Sequence, residues 1–133
     1  MMRPSHDETW LAVAEVIAKR ATCARRQVGC VLVNASYQVI STGYNGAPSG
    51  MPHCIDVGCS IIEGGCVRTL HAECNAALHA DSRRLRGAKL YLSAFTPCLA
   101  CAKLLVVLKV GEVHALSLYR DPAGTKFLHA AGI

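Results

Sequence analysis

Two short motifs constrain this chain more than anything else in it: His71-Ala72-Glu73 and Pro97-Cys98-Leu99-Ala100-Cys101. Each stands where a helix should begin. Thr69 is a suitable N-cap for a helix running to about Ala80, and Pro97 suits the first turn of a second helix ending near Gly111. Cys98 and Cys101 are three residues apart, so their thiolates leave one face of one helical turn. A helix N-terminus carries partial positive charge, which favours thiolate over thiol. With His71 as third ligand, one tetrahedral position stays open for water, the pattern of a catalytic zinc. Any fold adopted by this chain must therefore bring two helix starts together.

The charge count of that site calls for a carboxylate. Two thiolates and a neutral imidazole cancel the formal charge of the dication, so its water is acidified less than in an all-histidine site. Glu73, two residues from His71 and pointing elsewhere, is placed to take the proton and return it to a leaving group. A CxxC alone is commonly a structural zinc half-site or a redox pair, and an HxE alone is weak. Together they make the HxE…PCxxC signature of zinc deaminases.

The remaining pattern predicts how the two helix starts are carried. Ser5–Ala21 reads as an amphipathic helix, with Ser5 and Glu8 as a capping box and apolar residues at Trp10, Val13, Ala14, Ile17, Ala18 and Ala21. Val28–Val33 and Gln38–Gly43 read as strands joined by a turn at Asn34–Ser36. Gly43–Pro52 is a loop, and the irregular region continues to about Arg68. Lys89–Ala94 and Val113–Leu118 are further strands, and Ala123–Ala130 a last short helix. The order αββαβαβα predicts an α/β sandwich with helices packed on a central sheet, as one domain over residues 1–133.

Composition closes off several classes. The apolar runs, such as Leu104–Leu108, are far too short to span a bilayer, and the opening MMRPSHDETW has no signal-peptide core. A cytoplasmic protein without membrane contact is expected. Eight cysteines lying beside histidines and within a CxxC then favour metal over disulfides. The formal charge of +5, concentrated at Arg25–Arg26, Arg83–Arg86 and Lys103–Lys109, attracts anions without separating a nucleotide phosphate from a nucleic-acid backbone.

The stretches CVRTLHAECNAAL, TPCLACAKLL and VGCVLV…ISTGYNGAPSG resemble the deoxycytidylate (dCMP) deaminase family, of the cytidine-deaminase-like fold, from about Trp10 to Tyr119. The GYNG loop, the RTxHAExNA context and the cysteines before it point to that branch. The resemblance implies a three-layer α/β/α sandwich with a mixed sheet and helices on both faces. It implies hydrolytic loss of the 4-amino group of dCMP, giving dUMP, the precursor of dTMP, and ammonia. His71, Cys98 and Cys101 would hold the catalytic zinc, with Glu73 as proton shuttle. Asn45 would hydrogen-bond the nucleoside, and the backbone around Ala72 would meet the base. Arg25 would fork the 5′-phosphate, with Tyr119 closing the same end. Arg26 competes with Arg25 for that role; Asn45 could equally be a turn residue, and Tyr119 a core aromatic. The resemblance also implies a homo-oligomer, often a hexamer, activated by dCTP and inhibited by dTTP with magnesium. Members usually continue into another strand beyond the point where this sequence stops, Ile133 after HAAGI.

Six cysteines are left over. Cys30 and Cys74 read as small buried hydrophobes. Cys23, Cys54, Cys59 and Cys66 read as a second, closed and therefore structural zinc, which would pin the Asn45 loop beside Arg25. His53 could replace Cys54, and a reduced thiol cluster or a disulfide pair is the plainer alternative. His6, His79, His114 and His129 have no partner pattern. Two other functions compete with the nucleotide enzyme. A zinc deaminase acting on a base in RNA or DNA would need stacking surface, and aromatics are few. A catalytically idle zinc-stabilised module for DNA uptake or assembly would have no use for the complete set His71, Glu73, Cys98 and Cys101.

Overall fold

A computed structural model describes residues 1–133. The first helix, α1 (His6–Ala18), begins as its sequence demands: the Ser5 hydroxyl oxygen accepts the Glu8 N–H at 3.1 Å. It ends three residues earlier than the apolar spacing suggests. Beyond Lys19 the turns tighten to i−3 bonds, and the Thr22 N–H goes to Asn45 O at 3.1 Å. The chain leaves the helix there to hold the Asn45 loop.

Strands β1 (Gly29–Val33) and β2 (Val39–Tyr44) follow, then β5 (Lys89–Phe95) and β6 (Glu112–Ser117), in the order β2-β1-β5-β6. The first two pairings are antiparallel and β5–β6 is parallel, so the sheet is mixed, as expected. Successive side chains point to opposite faces of a strand. Val31, Val33 and Tyr91 accordingly pack with Ala14 of α1, whereas Cys30, Leu32, Leu90 and Leu92 pack with Ala76, Ala102 and Leu105 on the other side. Those last residues belong to α3 (Ala72–Leu78) and α4 (Leu99–Val107), and α5 (Ala123–Ala130) lies against α4. The result is a sheet between helical layers. β1 is buried along its whole length, which accounts for its unbroken apolar run. No helix is long and apolar enough to cross a membrane.

The segment expected to be irregular up to Arg68 is more ordered than that. It holds a one-turn helix, α2 (Cys54–Val57), and a small hairpin of β3 (Ile61–Ile62) and β4 (Gly65–Cys66). The hairpin turn, Glu63-Gly64, has positive φ at both residues, a primed turn that matches strand twist.

The two helix starts also move. α3 does not begin at Thr69: Leu70 is extended, exchanging backbone bonds of 3.3 and 2.9 Å with Gly46, so His71 becomes the N-cap. α4 does not begin at Pro97 either; Cys98 is its N-cap, with ψ of 169°. Glycine lets both helices sit where they do. A Cβ on Gly43 would collide with the backbone of Ala72 and Ala76 in α3, and one on Gly124 of α5 would collide with Pro97 O and the Cys98 backbone.

Candidate active site and a second thiol cluster

His71 and Cys98 occupy equivalent places, each the N-cap of a helix and neither spending its side chain on a cap bond. An N-cap residue has extended backbone, so its side chain swings clear of the helix it precedes. Both swing to the same point. His71 Nδ1 lies 3.5 Å from Cys98 Sγ and 3.4 Å from Cys101 Sγ. Zinc–sulfur bonds of about 2.3 Å and zinc–nitrogen bonds of about 2.05 Å at a tetrahedral angle would set such atoms about 3.6 Å apart. The donor set and its spacing therefore fit zinc.

The electrostatics agree. Hydrogen bonds from Cys101 and His71 pull the Cys98 thiol down to about 4. The Cys98 contact in turn raises His71, against burial. Glu73, in the first turn of α3, is buried with Oε1 3.9 Å from His71 Nδ1. Burial pushes its carboxyl up, against the pull of His71 and its own N–H. A carboxyl made more basic and largely sheltered from solvent at the cavity wall is suited to exchanging a proton inside the site. Cys30 lies fully buried, as expected, its thiol raised by burial and by the charge of Glu73, whereas Cys74, directly after Glu73, is only partly buried.

A cavity of about 170 Å³ opens over this cluster, and it contains every residue that the resemblance assigned to substrate: Arg25, Asn45, Ala72 and Tyr119. Asn45 is 7% exposed and already partly engaged. Its Oδ1 accepts the Val28 N–H at 2.7 Å, and its Nδ2 donates to Arg26 O at 2.9 Å. One N–H and one lone pair remain for a ligand. Arg25, Arg26, Tyr119 and Arg120 line the same cavity, the three arginines exposed. The sequence reading passed over Phe95, Thr96 and Arg120, which line the same wall. Phe95 lies just beyond a register shift between β5 and β6, which no pattern along the chain discloses.

The second thiol cluster adjoins the first. Cys23, Cys54 and Cys59 place their sulfurs within 4.8 Å of one another, and Cys66 joins through Cys54 at 3.5 Å. Cys23 and Cys59 are 3.7 Å apart. Four thiolates around zinc would stand about 3.8 Å apart, so this set fits as well. All eight cysteines are free thiols. His53 does not join: its Nδ1 is paired with the Thr22 hydroxyl at 3.0 Å. Burial raises Cys23 and Cys66, but backbone N–H groups outweigh it, from Arg26 and Arg25 on Cys23 and from Arg68 and Ser60 on Cys66, which falls to about 7. Burial and the neighbouring thiols push Cys54 up to about 12. Cys23 and Cys66 also line the cavity, so the cluster forms one of its walls.

Residues 4–117 match the model of the cytidine and deoxycytidylate deaminase zinc-binding region. The chain is 39% identical to the deoxycytidylate deaminase of Saccharomyces cerevisiae over its whole length, which is 45% of the yeast protein. It is 38% identical to the deoxycytidylate deaminase of Mycobacterium phage D29, over 85% of this chain and 95% of the phage protein. Among solved structures, the dCMP deaminase of cyanophage S-TIM5 in complex with dCMP and dUMP superposes with a TM-score of 0.81 at 28% identity, covering 100% of this chain and 96% of that one. The chain spans just under half the length of the yeast relative and nearly all of the phage ones. It belongs to the cytidine and deoxycytidylate deaminase family.

Proposed function

We propose that this member of the cytidine and deoxycytidylate deaminase family hydrolyses dCMP to dUMP and ammonia. The observation that carries the reading is the lining of one cavity: the buried Glu73 carboxyl with His71 and Cys98 of the histidine–dithiolate cluster, together with the exposed guanidinium groups of Arg25, Arg26 and Arg120. A cytosine base suits the first set and a 5′-phosphate the second.

His71, Cys98 and Cys101 would hold a zinc ion. When bound, the metal supplies the Lewis acidity that makes water nucleophilic near neutral pH. Glu73 accepts a proton from the water that attacks C4 of the base and passes it to the ring nitrogen, then takes the remaining proton of the new C4 hydroxyl and delivers it to the departing amino group. The C4–O bond forms, the C4–N bond breaks, and ammonia leaves. Burial keeps the Glu73 proton within the site between those transfers. The free N–H of Asn45 points the sugar, the backbone at Ala72 meets the base, and Arg25 and Tyr119 take the phosphate end. Cys23, Cys54, Cys59 and Cys66 would hold a second, structural zinc, a reading supported by their spacing and by the N–H groups aimed at their sulfurs. Family likeness alone extends the proposal to a cytoplasmic hexamer activated by dCTP and inhibited by dTTP with magnesium.

Glu73→Ala tests the reading. It should keep its full zinc content and lose deamination by at least about 10²–10⁴-fold, the usual worth of a general acid–base. Substantial turnover by that variant would remove Glu73 from its role. Failure of the wild-type protein to deaminate dCMP would remove the function.

A further inference from the structure

On its way to the Pro97 turn, β5 carries one residue more than its partner. Leu92 pairs with Ala115 and the ladder resumes with Phe95 opposite Ser117, so three steps on β5 match two on β6. Ser93 marks the irregularity: its hydroxyl oxygen, not a backbone carbonyl, accepts the Gly29 N–H at 2.8 Å. Pairing then closes again, with the Thr96 N–H donating to Ser117 O at 3.0 Å. One extra residue reverses the faces taken by the residues that follow and re-aims a side chain. The side chain re-aimed here is Phe95, on the cavity wall with Arg26 and Tyr119.

Phe95 meets both neighbours. The Arg26 guanidinium carbon lies 4.9 Å from its ring centre. The Tyr119 ring stands edge-on at 6.2 Å and 65°. A guanidinium over an aromatic face is attracted by the ring's quadrupole while its N–H edge stays free to fork an oxyanion. The backbone of Arg26 is fixed too, since its carbonyl accepts from Asn45 Nδ2. Asn45 thus holds Arg26 at its root and Phe95 holds it at its head, and no carboxylate claims it. Arg25 has no such platform; its guanidinium makes one 3.4 Å contact to Gly64 O.

We propose that Phe95 and Arg26 form a specificity-determining pair, in which the Phe95 ring presents the Arg26 guanidinium to the 5′-phosphomonoester of the substrate as a second cationic arm beside Arg25. The proposal rests on the deaminase reading above. Phe95 is a positioning residue, acting through Arg26. A neutral nucleoside gives this arm nothing to hold, so the pair acts on the preference for dCMP over deoxycytidine and not on the chemistry at the ring.

The test is the ratio of kcat/KM for dCMP to that for deoxycytidine, in wild type, Arg26→Gln, Phe95→Leu, Phe95→Trp and the Arg26→Gln/Phe95→Leu double variant. Zinc content and Tm serve as folding controls. Loss of a forked charge-assisted contact should lower the ratio about 10–100-fold in Arg26→Gln. Phe95→Leu should lower it about 3–10-fold, and Phe95→Trp, which keeps a π face, should restore it. The double variant should be no worse than Arg26→Gln alone, because Phe95 has nothing left to present. An unchanged ratio in Arg26→Gln overturns the pair. So does an equal loss on both substrates in Phe95→Leu, or effects that multiply in the double variant. Where deoxycytidine turnover is too slow to read, the same ratio is taken from dissociation constants in a Glu73→Gln background. If Phe95→Leu does not fold, the exposed Arg26→Gln decides. A wild type that deaminates both substrates equally overturns the pair and spares the deaminase reading; one that deaminates neither overturns both.

Discussion

The two cysteine clusters offer ligands at nearly the same spacing and are built by opposite means. His71, Cys98 and Cys101 stand on the first turns of α3 and α4, whose bodies are anchored in the core by Ala72, Ala76, Ala102 and Leu105. Cys54 stands on a one-turn helix, Cys59 in irregular chain and Cys66 on a two-residue strand. The apolar side chains of that segment, Ile55, Val57, Ile61, Ile62 and Val67, are exposed and join no core cluster. The first cluster is held in place by the fold itself. The second has no core to hold it, so a metal there would replace one. A ligand position supplied by packing can leave a coordination site open for chemistry, whereas one that must itself supply the packing closes its sites.

The contrast can be broken most decisively at Cys98. Cys98→Ser should remove one zinc per chain and all detectable deamination while leaving Tm nearly unchanged, because α4 stays packed through Ala102 and Leu105. A large fall in Tm would mean that this metal, too, holds the fold.

Cys66→Ser should do the reverse. It should remove the other zinc, lower Tm and open residues 54–67 to hydrogen exchange while α3 and α4 stay protected. Deamination should weaken through KM more than through kcat, since Cys66 and Gly64 line the cavity without belonging to the His71–Cys98–Cys101 cluster. Retention of both metals in this variant would end the structural-zinc reading.

The smallest effect is expected where the clusters meet. Asn45→Ala leaves the Val28 N–H and Arg26 carbonyl without their partner, a cost of about 1–3 kcal/mol by thermal or urea unfolding. Both metals should remain. Loss of either would show that Asn45 supports a cluster directly.

Much of this molecule could be read along the chain. The Ser5–Glu8 cap, the unbroken apolar run of β1 and the fully matched α5 are local: neighbours a few residues apart decide them, and the structure follows. The ligand types in His71, Glu73, Cys98 and Cys101 are equally local, because zinc chemistry dictates the residues and a helical turn dictates their spacing. What the chain could not disclose depends on partners far away in sequence. The helix starts at His71 and not Thr69 because Gly46 holds Leu70 extended. Cys23 meets Cys59 and not Cys30 because the segments that follow α1 and β2 meet at Thr22 and Asn45. Phe95 faces the cavity because β5 slips by one residue against β6. Side-chain type and short-range spacing are written in sequence, whereas strand register and the crossing of distant loops are settled only when the sheet closes.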